Sequence, residues 1–199
     1  AGKKLALFGN SAHDIIIGGT GSGDVHEAYS VALPEGLEDA GYATDRTLAQ
    51  AYAQHIKAAK ARRPQTNPFL APPPLPELVP TVEQIDAAAT ANDVGVITIG
   101  RNSGEFIDRK TKDDFYLTEA EQTLIRNVSA AVHKAGKPVV VVLNIGGVIE
   151  LASWRDQVDA ILLAWQPGQE AGHAMADVLS GQVNPSGKLT DTFALDLKD

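Results

Sequence analysis

Glu105 is the carboxylate of most chemical interest in this chain, because it stands in a polar run between glycine and a string of charges: Gly100-Arg101-Asn102-Ser103-Gly104-Glu105-Phe106-Ile107-Asp108-Arg109-Lys110. Neighbouring cations can orient a carboxylate or tune its proton for transfer, which is the work of a general acid or base. As pattern alone, such a glutamate reads first as a solvated or structural ion-pair residue, and only second as a proton-transfer group. A second polar run is built on glycine, Gly9-Asn10-Ser11 and then Gly18-Gly19-Thr20-Gly21-Ser22-Gly23-Asp24. It fits neither nucleotide fingerprint: G-x-G-x-x-G from Gly19 or Gly21 ends on Asp24 or His26, and a P-loop would need Lys where Asp24 stands. Ser11 and Ser22 lack the flanking glycines of a nucleophile elbow. The five histidines, His13, His26, His55, His133 and His173, show no zinc-ligand spacing, and most are expected on the surface.

The elements that must hold these loops are four short apolar runs read as buried strands: 5–8, 94–99, 139–143 and 160–164. Helical patterns alternate with them. Thr118 and Glu121 make a capping box, followed by the stripe Leu124, Ile125, Val128, Ala131 and Val132, and Gly136 and Pro138 stop the helix. Thr81 and Gln84 make a second box before a helix to about Asn92, and further helices are expected over 27–40, 47–61 and 170–179. Continuously apolar strands alternating with helices imply an α/β fold, a mostly parallel sheet covered on both faces. The run 63–80 carries seven prolines and is read as an ordered surface crossover, with Phe69, Leu70, Leu75, Leu78 and Val79 against the body, rather than a linker. One domain over 1–199 is expected.

In open α/β sheets ligands bind beyond the carboxyl ends of the strands. The two runs above should therefore share one rim with Asn144-Ile145-Gly146-Gly147 and Trp165-Gln166-Pro167-Gly168-Gln169-Glu170. A polar rim of this kind suits a hydroxylated ligand. Trp154 and Trp165 adjoin predicted elements and are expected in the core or a domain interface.

With 25 acidic and 17 basic residues among 199, the net charge is −8, and without a basic cluster nucleic acid is excluded as a partner. No apolar run approaches the ~20 residues a membrane span needs. Zero cysteines exclude a disulfide framework and a thiolate metal site. The start, Ala1-Gly2-Lys3-Lys4, has neither initiator Met nor a signal-like core and is read as a cut end. A cytoplasmic location is expected ahead of a secreted one.

The ordered motifs together resemble the α/β sandwich domain of glycoside hydrolase family 3, the β-glucosidase-type retaining enzymes. The resemblance spans nearly the whole chain: Gly18 to Val25, Ser103-Gly104-Glu105 with Asp108-Arg109-Lys110, Asp114-Phe115-Tyr116-Leu117, and Val139 to Asn144 with Ile149-Glu150. It continues through Ala152-Ser153-Trp154, Trp165 to Glu170, and Asn184 to Leu189 followed by Thr192-Phe193. It implies an (α/β)6-type sandwich, with Glu105 as the acid/base. It further implies that Thr20 and Ser22 approach the sugar, and that Asp108 and Arg109 hold the glutamate loop. The implied substrate is a terminal β-D-glucosyl residue, and the implied partner a (β/α)8 barrel domain bearing the aspartate nucleophile, which matches nothing in these residues. The glutamate loop leans away from members that use a barrel histidine. No cofactor or metal is implied, and a homo-oligomer is compatible with the sequence. Two departures from the family stand out: Phe106-Ile107 where a glycine often follows the glutamate, and Ala194 where proline usually follows Phe193. The opposing reading is a non-catalytic sugar-binding or scaffold module.

Overall fold

Strand β1, Lys4–Phe8, is buried along all but its first residue and lies inside the sheet, which is why it carries no polar alternation. The computed structural model describes residues 2–64, 72–105 and 108–199. In chain order β1 is followed by α1 (Asn10–His13), α2 (Leu33–Asp39), β2 (Ala43–Thr44), α3 (Arg46–Arg62), α4 (Val82–Ala91) and β3 (Val94–Arg101). Then come α5 (Glu119–Lys134), β4 (Val139–Ile145), β5 (Ala160–Leu163) and α6 (Ala171–Ser180). The five strands pair in the order β2-β1-β3-β4-β5, every pair parallel, with Leu5 opposite Val94 and Gly95 opposite Val139. This is the α/β class expected.

Two apolar layers cover the sheet. On one face Tyr52 and Ile56 of α3, Ile85 of α4 and Leu124, Ile125 and Val128 of α5 pack with Phe8, Ile97, Val141 and Leu143. On the other, Ala12, Leu33 and Leu37 and the α6 residues Ala171, Met175 and Ala176 pack with Leu5, Leu7, Val96 and Val142. Leu75, Leu78 and Val79 pack against the first layer, while Phe69 and Leu70 lie outside the described residues.

Both capping boxes form, with Thr118 Oγ1 accepting from the Glu121 N–H and Thr81 Oγ1 from the Gln84 N–H. The helix expected over 27–40 is shorter than its pattern. Pro34 sits in the first turn of α2, and Val31 before it directs its backbone groups to the start of α6 and the residues leading into it: Val31 N–H donates to Gln169 O and Val31 O accepts from Gly172 N–H. Two-residue β2 was not expected, being too short for a period. His13 is not a surface residue: it stacks on Tyr52 with ring centroids 4.9 Å apart, and burial pulls its pKa down.

Helices α2 and α6 touch through glycine. A methyl built on Gly36 would stand 2.1 Å from the Gly172 carbonyl group, and one on Gly172 would stand 2.1 Å from Ala32 O. Gly36→Ala is therefore expected to force the helices apart and cost about 1–3 kcal/mol, the usual range for overpacking. Thermal unfolding of the single variant checks this, and an unchanged midpoint would show that the pair separates freely.

Candidate functional site

The strand order reverses direction between β1 and β3, so the loops leaving those two strands flank the crevice where open α/β sheets take ligands. The glycine run and the Glu105 loop are those two loops. Thr20 and Gly104 form a parallel bridge, the Thr20 N–H donates to Ser103 O at 2.9 Å, and the Thr20 hydroxyl donates to the same oxygen at 3.3 Å. Residues Gly21–Gly23 then turn tightly, closed by Asp24 N–H on Gly21 O. The Ser22 N–H donates to Glu105 Oε1 at 2.8 Å.

Glu105 is solvent-facing, and the hydroxyl and N–H of Ser22 together hold its carboxyl below the ordinary glutamate range. Hydrogen bonds to the charged form favour ionisation, so in this chain Glu105 is poised as a carboxylate. Its follower residues Phe106 and Ile107 lie outside the described residues.

Two further loops steady this one. Ser103 Oγ donates to Gln166 Oε1 at 2.8 Å, and Gln166 Nε2 donates to Asn102 Oδ1 at 3.1 Å. Gly146 makes room for both, since a methyl there would stand 2.5 Å from Ser103 Cβ. Asn144, fully buried at the end of β4, accepts from Ile16 N–H and donates to Ile16 O and Trp165 O, each at 2.8 Å. It thereby ties the first and last loops of the rim to the middle of the sheet.

Beyond Glu105 the chain is anchored by ions. Arg109 Nη1 meets Asp114 Oδ1, and Lys110 N–H donates to Asp114 Oδ2 at 2.8 Å. Asp113, beside them, takes a left-handed φ of 58° in that turn. Asp108 is exposed and makes no side-chain hydrogen bond among the described residues; Asp114 is the partner of Arg109. Arg101, buried at the end of β3, donates Nε to Asp114 O at 2.8 Å and Nη2 to Glu121 Oε2 at 2.7 Å, with Nη1 on Glu121 Oε1. Glu121 also accepts from Thr118, so one carboxylate caps α5 and pairs with the strand that carries the site.

Of the residues singled out from sequence, Thr20, Ser22 and Glu105 come together, Arg109 braces the loop from beyond it, and Asp108 joins neither group. Asp114, Gln166 and the Arg101–Glu121 pair were missed as supports. Asp114 and Gln166 stand inside motifs the sequence displays, yet their partners are contacts of the fold. Trp154 is buried, with its indole N–H on Glu150 O at 2.9 Å, whereas Trp165 is 40% exposed on the rim with a left-handed φ of 54°.

No helix among the described residues is long and apolar enough to cross a membrane. The model of the glycosyl hydrolase family 3 C-terminal domain matches residues 1–199. The structure of β-glucosidase 3B from Thermotoga neapolitana in complex with α-D-glucose superposes with a TM-score of 0.91 at 47% identity, covering 98% of this chain and 27% of that one. A β-glucosidase from Paenibacillus barengoltzii gives a TM-score of 0.86 at 32% identity, covering 99% of this chain and 22% of that one. Beta-glucosidase A of Butyrivibrio fibrisolvens is 38% identical over 226 residues, taking in 100% of this chain and 26% of its own length. The chain thus spans about a quarter of the length of such relatives.

Proposed function

Because the chain belongs to glycosyl hydrolase family 3, as its C-terminal domain, we propose that it supplies the acid/base, Glu105, to a retaining enzyme that releases terminal β-D-glucosyl residues. The nucleophile belongs to a (β/α)8 barrel domain of the same enzyme. Thr20 and Ser22 face the sugar from this side, Arg109 with Asp114 supports the loop, and Asp108 supports it only in the assembled enzyme. The observation that carries this reading is the seat of Glu105: a carboxylate at the switch point of the sheet, in hydrogen-bond contact with a second loop 83 residues away in sequence.

Retaining hydrolysis needs two carboxyl groups about 5–5.5 Å apart. In the first step the partner aspartate attacks the anomeric carbon while Glu105 gives its proton to the departing oxygen. In the second, Glu105 takes a proton from the water that releases the sugar. The ionised state favoured here suits the second step. For the first, covering Glu105 with another domain and setting a second carboxylate beside it both raise its pKa.

The test is the complete parent enzyme carrying Glu105→Ala. Loss of general acid catalysis is expected to lower kcat/KM about 10²–10⁴-fold on an alkyl β-glucoside. On a dinitrophenyl β-glucoside, which needs no proton, kcat/KM stays near that of the parent. Added azide restores turnover by intercepting the glycosyl-enzyme. Near-normal rates on both substrates would make this domain a scaffold and put the proton donor in the barrel.

A further inference from the structure

Gly21 lies directly beneath the Glu105 side chain. A methyl built on it would stand 2.8 Å from Cδ, 2.9 Å from Cγ and 3.0 Å from Cβ of Glu105, closer than real side chains pack. Its φ of +74° is in the left-handed region, and that turn aims the next N–H, of Ser22, at Glu105 Oε1. Both ends of the turn are fixed. Thr20 is extended and pinned to Ser103 O, and Asp24 N–H closes on Gly21 O. By contrast, a methyl on Gly23, two residues on, would meet nothing within 4 Å, and Gly23 has no left-handed φ.

We propose that Gly21 and the Ser22 N–H are the positioning device of Glu105: Gly21 is a floor without a side chain on which the carboxylate rests, and the N–H holds Oε1 so that Oε2 carries the transferred proton. This rests on the reading of Glu105 as acid/base and names the residues that aim it. The device does more than restrain a rotamer. As Glu105 gives up its proton, negative charge grows on the carboxyl group, and a donor already aimed at Oε1 meets that charge without reorganising. A bond that strengthens as charge develops favours the transition state over the ground state. Gly21 cannot be replaced without moving the carboxylate, because the floor under Glu105 and the turn that aims the donor are the same residue.

The experiment uses the complete parent enzyme with Gly21→Ala, Gly21→Asn, Gly23→Ala and Glu105→Ala, each checked for an unchanged melting transition. Asn tolerates a left-handed φ, so it adds a side chain with little backbone strain and keeps the test open if Gly21→Ala folds poorly. Displacing a reacting group by about 1 Å costs ~10²-fold, and both Gly21 variants are expected to lose that much kcat/KM on an alkyl β-glucoside. They keep it on a dinitrophenyl β-glucoside, while Gly23→Ala matches the parent. If Glu105→Ala shows this signature but the Gly21 variants match the parent, the positioning role is wrong. It is equally wrong if they lose rate alike on both substrates, or if Gly23→Ala behaves as they do. If Glu105→Ala itself shows no such signature, the acid/base reading falls and the inference falls with it.

Discussion

Expressed alone, residues 1–199 are expected to fold yet to hydrolyse an aryl β-glucoside no faster than buffer does, forfeiting the roughly 10⁶-fold or greater acceleration typical of enzymes. The reason is geometric. Among the described residues the hydrogen-bond partner of the Glu105 carboxylate is Ser22, and no second carboxyl group is joined to it. One carboxyl group cannot both protonate a leaving oxygen and attack from the opposite side of the anomeric carbon. Adding the rest of the parent enzyme as a separate polypeptide should restore rate in a saturable way, to the extent that docking reproduces the native alignment. The measurement is turnover of the isolated chain, with its fold verified by circular dichroism. Activity that survives Glu105→Gln would refute the division of labour between domains.

The largest effect on stability is expected from Glu121→Ala. Arg101 is buried, and its Nη1 and Nη2 both face the Glu121 carboxylate. Removing one partner of a buried pair strands the other charge and costs about 3–5 kcal/mol. At about 2–4 °C per kcal/mol for a chain of this size, the melting midpoint should fall by roughly 6–20 °C. The double variant Arg101→Met with Glu121→Leu removes both charges and should recover much of the loss, since replacing a buried pair by apolar residues is often near neutral. A double variant as unstable as the sum of the two singles would show that the pair does not act as a unit.

That pair also marks where sequence reasoning reached and where it stopped. Thr118 and Glu121 are three residues apart, so their mutual capping is a local matter and can be read from spacing. That the same Glu121 turns to Arg101, 20 residues earlier, depends on α5 lying beside β3, which no spacing encodes. Glu105 shows the same limit. Its residue type and loop are legible, and the family resemblance gives it a role. Its grip by Ser22 arises only when β1 and β3 become neighbours. Arg109 was legible as a support of the loop, but its partner was not: the turn through Asp113 brings Asp114 back to it, while Asp108 stays exposed. The helix expected from residue 27 shortened because the backbone groups of Val31 found partners on Gln169, just before α6, and Gly172, in its first turn.

The placement of β1 inside the sheet has a further consequence, for the order in which the protein can be made. Of the five strands a ribosome releases β1 before the others, yet the Lys4 N–H finds its partner on Asp93, 89 residues later. Until that segment emerges, an apolar strand waits with one edge open, and pairing over such a separation is intrinsically slow. The glycine loop and the Glu105 loop cannot meet before then. The contact between Ser22 and Glu105 therefore forms only after β3 has emerged, and a nascent chain paused between β2 and β3 would be the species most prone to aggregate.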